Sequence, residues 1–221
     1  MDVKVFGEPI GGSFPNSENL SSCIFDLLHL DVWGPFHVPT FDGYKMFLTI
    51  VDDHSRMTWI FLLKLKSDVV VVLRNFFQLV STQFGKRVKV LRSDNGTEFV
   101  NSNCHALFTS LGIVHQKTCI YTPQQNGVVE RKHRYILELA RAIRFQGSIP
   151  IIYWGHCVLG AVYMMNRLPS IALNNKSPFE VFHGVKGSLT HLRTIGCLCY
   201  AKCLPPGDKF EAKAVPVVHM G

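Results

Sequence analysis

Between residues 88 and 144 a short apolar strand, a helix, a second strand and a long amphipathic helix follow one another with little spare chain. Two strands joined through a helix lie parallel in one sheet, with the helix packed on its face. The strand at 88–91 runs into a tight turn at Asn95-Gly96. A helix over 103–111 ends at Gly112, and a strand over 113–120 leads past Pro123 and Asn126-Gly127 into the long helix. Three strand-like runs come first, at 25–34, 45–51 and 58–65, the first closed by Gly34-Pro35. Ser67 is expected to cap a helix over 68–84 that Gly85 stops. Its Val69-Val70-Val71-Val72 start favours strand locally, but its length and the Leu73, Phe76, Phe77, Val80, Phe84 stripe decide for helix. The order predicts an α/β domain: a mixed five-stranded sheet with helices on both faces. Extra helices at 151–166 and 177–182 and strand character at 191–200 follow.

Three acids stand at informative places. Asp31 interrupts the apolar strand Leu27-Leu28-His29-Leu30-Asp31-Val32, on the same side as Leu27 and His29. A carboxylate there is costly unless something pairs with it. Asp94 ends the strand before the Asn95-Gly96 turn, and Glu130 lies near the start of the long helix. At about 100° per residue, Val128, Lys132, Tyr135, Ile136, Leu139 and Ile143 oppose Glu130 and form the expected buried face. His133, Arg134, Leu137, Arg141 and Arg144 fall on the Glu130 side, an acid among arginines. Bound Mg²⁺ or Mn²⁺, which takes carboxylate oxygens, resolves the cost of all three acids together.

These residues resemble the Asp-Asp-Glu triad of retroviral-type integrases, with thirty-five residues, 95 to 129, between the last two acids. Five ordered stretches resemble the integrase cores of Ty1/copia-type LTR retrotransposons, especially plant ones: L-H-L-D-V-W-G-P, I-V-D-D-H-S-R-M-T-W, L-R-S-D-N-G-T-E-F, Y-T-P-Q-Q-N-G-V-V-E-R-K-H-R and H-L-R-T-I-G-C-L-C-Y-A. The resemblance covers residue 25 to the end. It implies a ribonuclease-H-like fold and a catalytic and metal-binding set of Asp31, Asp94 and Glu130 holding two Mg²⁺ or Mn²⁺ ions. It further implies trimming of retroelement DNA ends and their joining to target DNA, and action as a homo-oligomer. The residues alone imply metal-assisted phosphodiester chemistry. Gln124, Gln125, Asn126, Arg131, Arg134 and Arg141 are the candidate contacts to double-stranded DNA. A loop without ligand duty remains the alternative for the three amides.

Competing readings are bounded by neighbouring residues. For Asp52 and Asp53, turn capping and pairing with Arg56 is preferred to a metal role. Glu98 is expected to be exposed. Cys197, Cys199 and Cys203 lack the usual zinc spacing, so no zinc is expected. Trp33, Trp59 and Trp154 read as core, and His29 as a satisfied strand residue.

A formal net charge of +7 suits an anionic partner, and 47% hydrophobic residues suffice for a core. The seven cysteines follow no framework and no signal-peptide pattern opens the chain, so free thiols in a reducing compartment of an unsecreted protein are expected. The resemblance implies the nucleus, where chromosomal DNA is the target, and also the cytoplasm. The apolar run 149–165 is short for a membrane span and carries Pro150, Gly155 and His156. The expected organisation is a flexible tail over 1–22 without the family's zinc module, a catalytic core with helical extension over 23–190, and a truncated β-rich segment over 191–221. The other functional readings are a catalytically idle remnant or co-opted nucleic-acid-binding module, and a ribonuclease H, which the Y-T-P-Q-Q-N-G run disfavours.

Overall fold

The computed structural model describes residues 20–117, 127–202 and 213–219. Strands β1 (Leu27–Trp33), β2 (Met46–Asp52), β3 (Thr58–Leu63), β4 (Val90–Ser93) and β5 (Val114–Lys117) form one sheet in the order β3-β2-β1-β4-β5. β2 is antiparallel to both neighbours, whereas β1, β4 and β5 are parallel. The mixed five-stranded sheet is the one the sequence order predicts. Its helices are α1 (Val69–Phe84), α2 (Ser102–Leu111), α3 (Gly127–Gln146), α4 (Trp154–Met165) and α5 (Pro178–His183). A two-stranded ribbon of β6 (Leu198–Lys202) and β7 (Ala214–Val218) pairs separately. Among the described residues no helix is long and apolar enough to cross a membrane.

Period-two alternation gives the central strands two unlike faces. Leu28, Leu30, Leu48, Ile50 and Leu91 pack with Leu73, Phe76 and Phe77 of α1 and Leu107 and Phe108 of α2. Burying each such side chain contributes roughly 1.5–3 kcal/mol. Phe182 of α5 closes this cluster, its ring edge-on to Phe25 at 5.4 Å. The opposite face meets α3 and α4, through Phe47, Ile136, Ala140, Ile143, Trp154 and Val158.

The ends of α1 show how local chemistry sets boundaries. Gly85 takes a left-handed φ of 60° and stops α1 as expected. Ser67 does not cap it. It lies inside a one-turn 3₁₀ helix, Lys66–Asp68, and Asp68 accepts the Lys64 and Leu65 N–H groups at 3.2 and 2.9 Å. One carboxylate oxygen of Asp68, Oδ2, reaches back to both backbone donors at the entrance of the turn, the place expected for Ser67. The valine run is helical despite its propensity because Val69 is fully buried in the core.

α4 is fastened to the sheet at its last turn. Asn166, 4% exposed, accepts the Thr58 N–H at 3.0 Å and donates its amide to the Thr58 carbonyl at 2.7 Å. One side chain thus completes both backbone groups at the start of β3.

Candidate active site

Asp31 lies on β1 between His29 and Trp33, on the face that α3 and α4 cover. Across β2 it stands opposite Thr49. Towards β4, His29 stands opposite Arg92 in a parallel register. Two residues further along both chains, that register brings Asp94, the first residue beyond β4, beside Asp31. Glu130 arrives in the first turn of α3.

The acids share one electrostatic field. Burial pushes the Asp31 carboxyl up to about 7, and Asp94, Glu130 and Glu98 push the same way, against the Val32 N–H donated to its Oδ1 at 2.8 Å. A half-buried carboxyl answering to like charges on three sides is an anionic cluster short of counter-charge. Its donors are oxygens without thiolate, the set that hard divalent cations take. Among the described residues no three His, Cys, Asp or Glu side chains close on a single ion position. Asp31 and Asp94 are fixed by adjacent strands, whereas Glu130 is solvent-exposed and rides on a helix.

Sequence reasoning placed the α3 faces incorrectly. The buried line is Val129, His133, Ile136, Ala140 and Ile143. It is rotated by roughly 80° from the expected one. His133, expected beside Glu130 on the presented face, is 8% exposed, and Tyr135, expected inside, is 48% exposed. The apolar count weighs Tyr135 and Leu139 heavily, but the sheet accepts the small Ala140 and the polar His133 at its closest approach. The rotation puts Glu130 at the border of the buried arc instead of the middle of the solvent face. Arg131, Arg134 and Arg141 are exposed. Gln124, Gln125 and Asn126 lie outside the described residues, as does Cys203.

Glu98, expected to be exposed, is 7% exposed. Both its carboxylate oxygens accept from Lys66 Nζ at 3.1 Å. The turn at Gly96 folds it against Asp94: a Cβ at Gly96 would stand 2.7 Å from Glu98 Cδ and 2.9 Å from Asp94 Oδ1. A residue with any side chain would have to displace one carboxyl group or the other.

Asp52 and Asp53 have structural partners. Asp52, fully buried, accepts from Phe25 N–H at 2.7 Å, Ser55 N–H at 2.8 Å and the Ser55 hydroxyl at 2.6 Å. Burial works against the Asp53 charge, yet hydrogen bonds from His29 and the Ser21 N–H, with the Arg56 charge, bring its carboxyl down to about 2. His29 therefore serves Asp53, not Asp31.

One neighbour of Asp31 was missed. His133 lies one helical turn beyond Glu130, with Nε2 2.8 Å from the Thr49 hydroxyl and Nδ1 3.4 Å from Asp31 Oδ2. Burial holds its pKa down at about 4, so at neutral pH this is a neutral imidazole against a carboxyl rather than an ion pair. The i, i+3 spacing from Glu130 was the available signal.

Residues 23–123 match the family model described as "Integrase core domain". The chain is 36% identical over 222 residues to the "Retrovirus-related Pol polyprotein from transposon TNT 1-94" of Nicotiana tabacum, covering 100% of this chain and 17% of that polyprotein. It is 35% identical over 209 residues to the corresponding polyprotein from transposon RE2 of Arabidopsis thaliana, covering 94% of this chain and 14% of that one. The chain therefore spans about a sixth of the length of the relatives it matches. In fold it is similar to the structure of the HTLV-2 integrase catalytic core domain in complex with magnesium (trimeric form). The TM-score is 0.53 at 20% identity, covering 71% of this chain and 95% of that one. Fold, family model and plant polyprotein relatives agree with one another: the chain belongs to the retroviral-type integrase cores, with a ribonuclease-H-like fold.

Proposed function

We propose that this core is a metal-dependent polynucleotidyl transferase and endonuclease that trims retroelement DNA ends and joins them to target DNA. The observation that carries the reading is the parallel register that sets Asp94 beside Asp31, with Glu130 in the first turn of α3. Burial first, and then the charges of Asp94 and Glu130, raise the Asp31 carboxyl. Asp31 and Asp94 would hold divalent cations, with Glu130 completing the set once DNA is in place. When bound there, the cations polarise the phosphodiester and stabilise the charge of its in-line displacement. Magnesium accompanies the HTLV-2 core in its solved structure. The chain needs no side-chain nucleophile for this chemistry: water attacks in trimming, and the freed 3′-hydroxyl attacks in joining. Arg131 and Arg134 present exposed cations near Glu130, and Arg141 presents one about three turns further along the same helix, a line that DNA phosphates could follow. Action on chromosomal DNA as a homo-oligomer in the nucleus belongs to the same proposal. A nicking and joining assay on DNA ends with Mg²⁺, run beside an RNA–DNA hybrid, tests it. Cleavage of the hybrid alone would replace the reading with a ribonuclease H.

The Asp31 shift gives the reading a pH signature. Folded Asp31 keeps its proton to about pH 7, whereas the unfolded chain releases it near 3.8. Between those values the folded state binds more protons, so the metal-free protein loses stability as pH rises across the window. A cation must displace that proton at pH 5 but not at pH 8. Magnesium titrations followed by melting temperature should therefore give a half-saturating concentration about a hundredfold higher at pH 5 than at pH 8. Equal values would remove Asp31 from the ligand set.

DNA contact makes a second, independent expectation. Arg141→Ala should weaken binding alike for all sequences and flatten the slope of log affinity against log salt by about one unit. Fluorescence anisotropy across a salt series measures it, and an unchanged slope would place the DNA on another face.

A further inference from the structure

We propose that His133 is a positioning residue that fixes the Asp31 carboxylate in its working orientation, with Thr49 holding the far side of the His133 ring. This rests on the proposed role of Asp31 as a metal ligand. Three contacts define the ring. Its Nε2 meets the Thr49 hydroxyl at 2.8 Å, its Nδ1 faces Asp31 Oδ2 at 3.4 Å, and Phe47 stands edge-on at 5.5 Å and 84°. Thr49 is fully buried and His133 is 8% exposed, so neither exchanges its partner freely with water.

A neutral imidazole has one donor and one acceptor nitrogen. The Thr49 hydroxyl can donate to Nε2 or accept from it, so it serves either tautomer; when it donates, the ring proton sits on Nδ1 and faces Asp31. Once a cation holds Asp31 ionised, the opposite tautomer would aim a lone pair at the carboxylate, which is repulsive, so the cation-bound form selects the proton on Nδ1. Asp31 then has a donor on each oxygen: Val32 N–H on Oδ1 at 2.8 Å and His133 Nδ1–H towards Oδ2. With the His133 contact closed, two donors on different oxygens would fix the carboxylate plane and leave a lone pair on each oxygen free for a cation. At 3.4 Å the second donor is farther away than the 2.7–2.9 Å or so of a charge-assisted bond, so the arm is in place but not closed. Partners that orient metal-ligating groups typically account for about 10- to 100-fold in metal affinity or activity. The geometry also gives the rotation of α3 a use. One helical turn delivers Glu130 to the site border and His133 beneath it.

The test compares His133→Leu, which fills the space without a donor, with His133→Asn, which keeps an N–H donor. Thr49→Val leaves the ring in place but removes the hydroxyl. Each full-length variant is melted across a Mg²⁺ series and assayed for DNA joining, with KM for DNA and kcat separated. The Leu variant should raise half-saturating Mg²⁺ about tenfold or more, in melting and in kcat alike, with KM for DNA unchanged. The Asn variant should return to within about threefold of the parent, and Thr49→Val should fall between them. Parent-like metal dependence in the Leu variant overturns the proposal, as does equal impairment of folded Leu and Asn variants. If the Leu variant does not fold, parent-like metal dependence in Thr49→Val overturns it instead. A parent protein that Mg²⁺ does not stabilise at any pH removes the ligand role of Asp31 itself, and this proposal with it.

Discussion

Replacing Glu130 by Gln is expected to reduce end trimming and joining by at least about a hundredfold while fold and DNA binding survive. The side chain is solvent-exposed, so the change creates no cavity. Two electrostatic effects on stability oppose each other. Glu130 repels Asp31, and losing that charge relieves the repulsion. It also lies in the first turn of α3, where an acid complements the helix dipole by about 0.3–1 kcal/mol. The metal-free variant should thus melt within a few degrees of the parent. Magnesium should raise its melting temperature less, because one oxygen ligand is gone. A purely structural Glu130, paired with Arg134 on the next turn, would instead cost about 0.3–0.5 kcal/mol and leave chemistry intact. Melting curves with and without Mg²⁺, beside one joining assay, separate the two. If the Gln variant still joins ends, the acid assignment passes to Glu98, which lies in the same field.

Asp52→Ala should have the opposite profile, a large loss of stability with chemistry retained in the folded fraction. The substitution strands the Phe25 N–H, the Ser55 N–H and the Ser55 hydroxyl, all at a fully buried site. Unsatisfied buried donors cost roughly 1–3 kcal/mol each, and relaxation of the turn recovers part, leaving about 3–5 kcal/mol. For a domain of this size that corresponds to a fall of about 6–20 °C in melting temperature. Asp52 pairs with Leu28, three residues upstream of Asp31 on β1, roughly 10 Å along the strand. Joining activity per folded molecule, measured well below the midpoint, should be close to that of the parent. Loss of activity in protein that calorimetry shows to be folded would return Asp52 to the list of candidate metal ligands.

The contrast between these two acids shows what the sequence made legible. Strand and helix order was readable because each element carries its own period and its own stop. Gly85 and Gly112, for example, take left-handed φ values at the ends of α1 and α2. The placement of Asp31 beside Asp94 was readable only through the resemblance. Sequence spacing does not fix strand register, and the parallel pairing of His29 with Arg92 is a tertiary fact. The α3 face was misread because polarity counts assume that water lies outside and hydrocarbon inside. Here the inside contains a polar pocket, formed by Thr49 and Asp31, that takes a histidine. Glu98 was misread for a similar reason. Its cation, Lys66, stands before α1, thirty-two residues away in sequence, and local pattern carries no trace of the pair.

The amide of Asn166 has a consequence for how the molecule behaves in company. β3 is one margin of the sheet, and an uncovered margin is a template on which another chain can add a strand. Asn166 imitates the first rung of such a strand, taking the N–H and the carbonyl of Thr58 together. An incoming peptide must expel a buried side chain before it can register at that end. The contact that fastens α4 to the sheet therefore also occupies that end of the β3 edge in the folded molecule, where an added strand would otherwise begin.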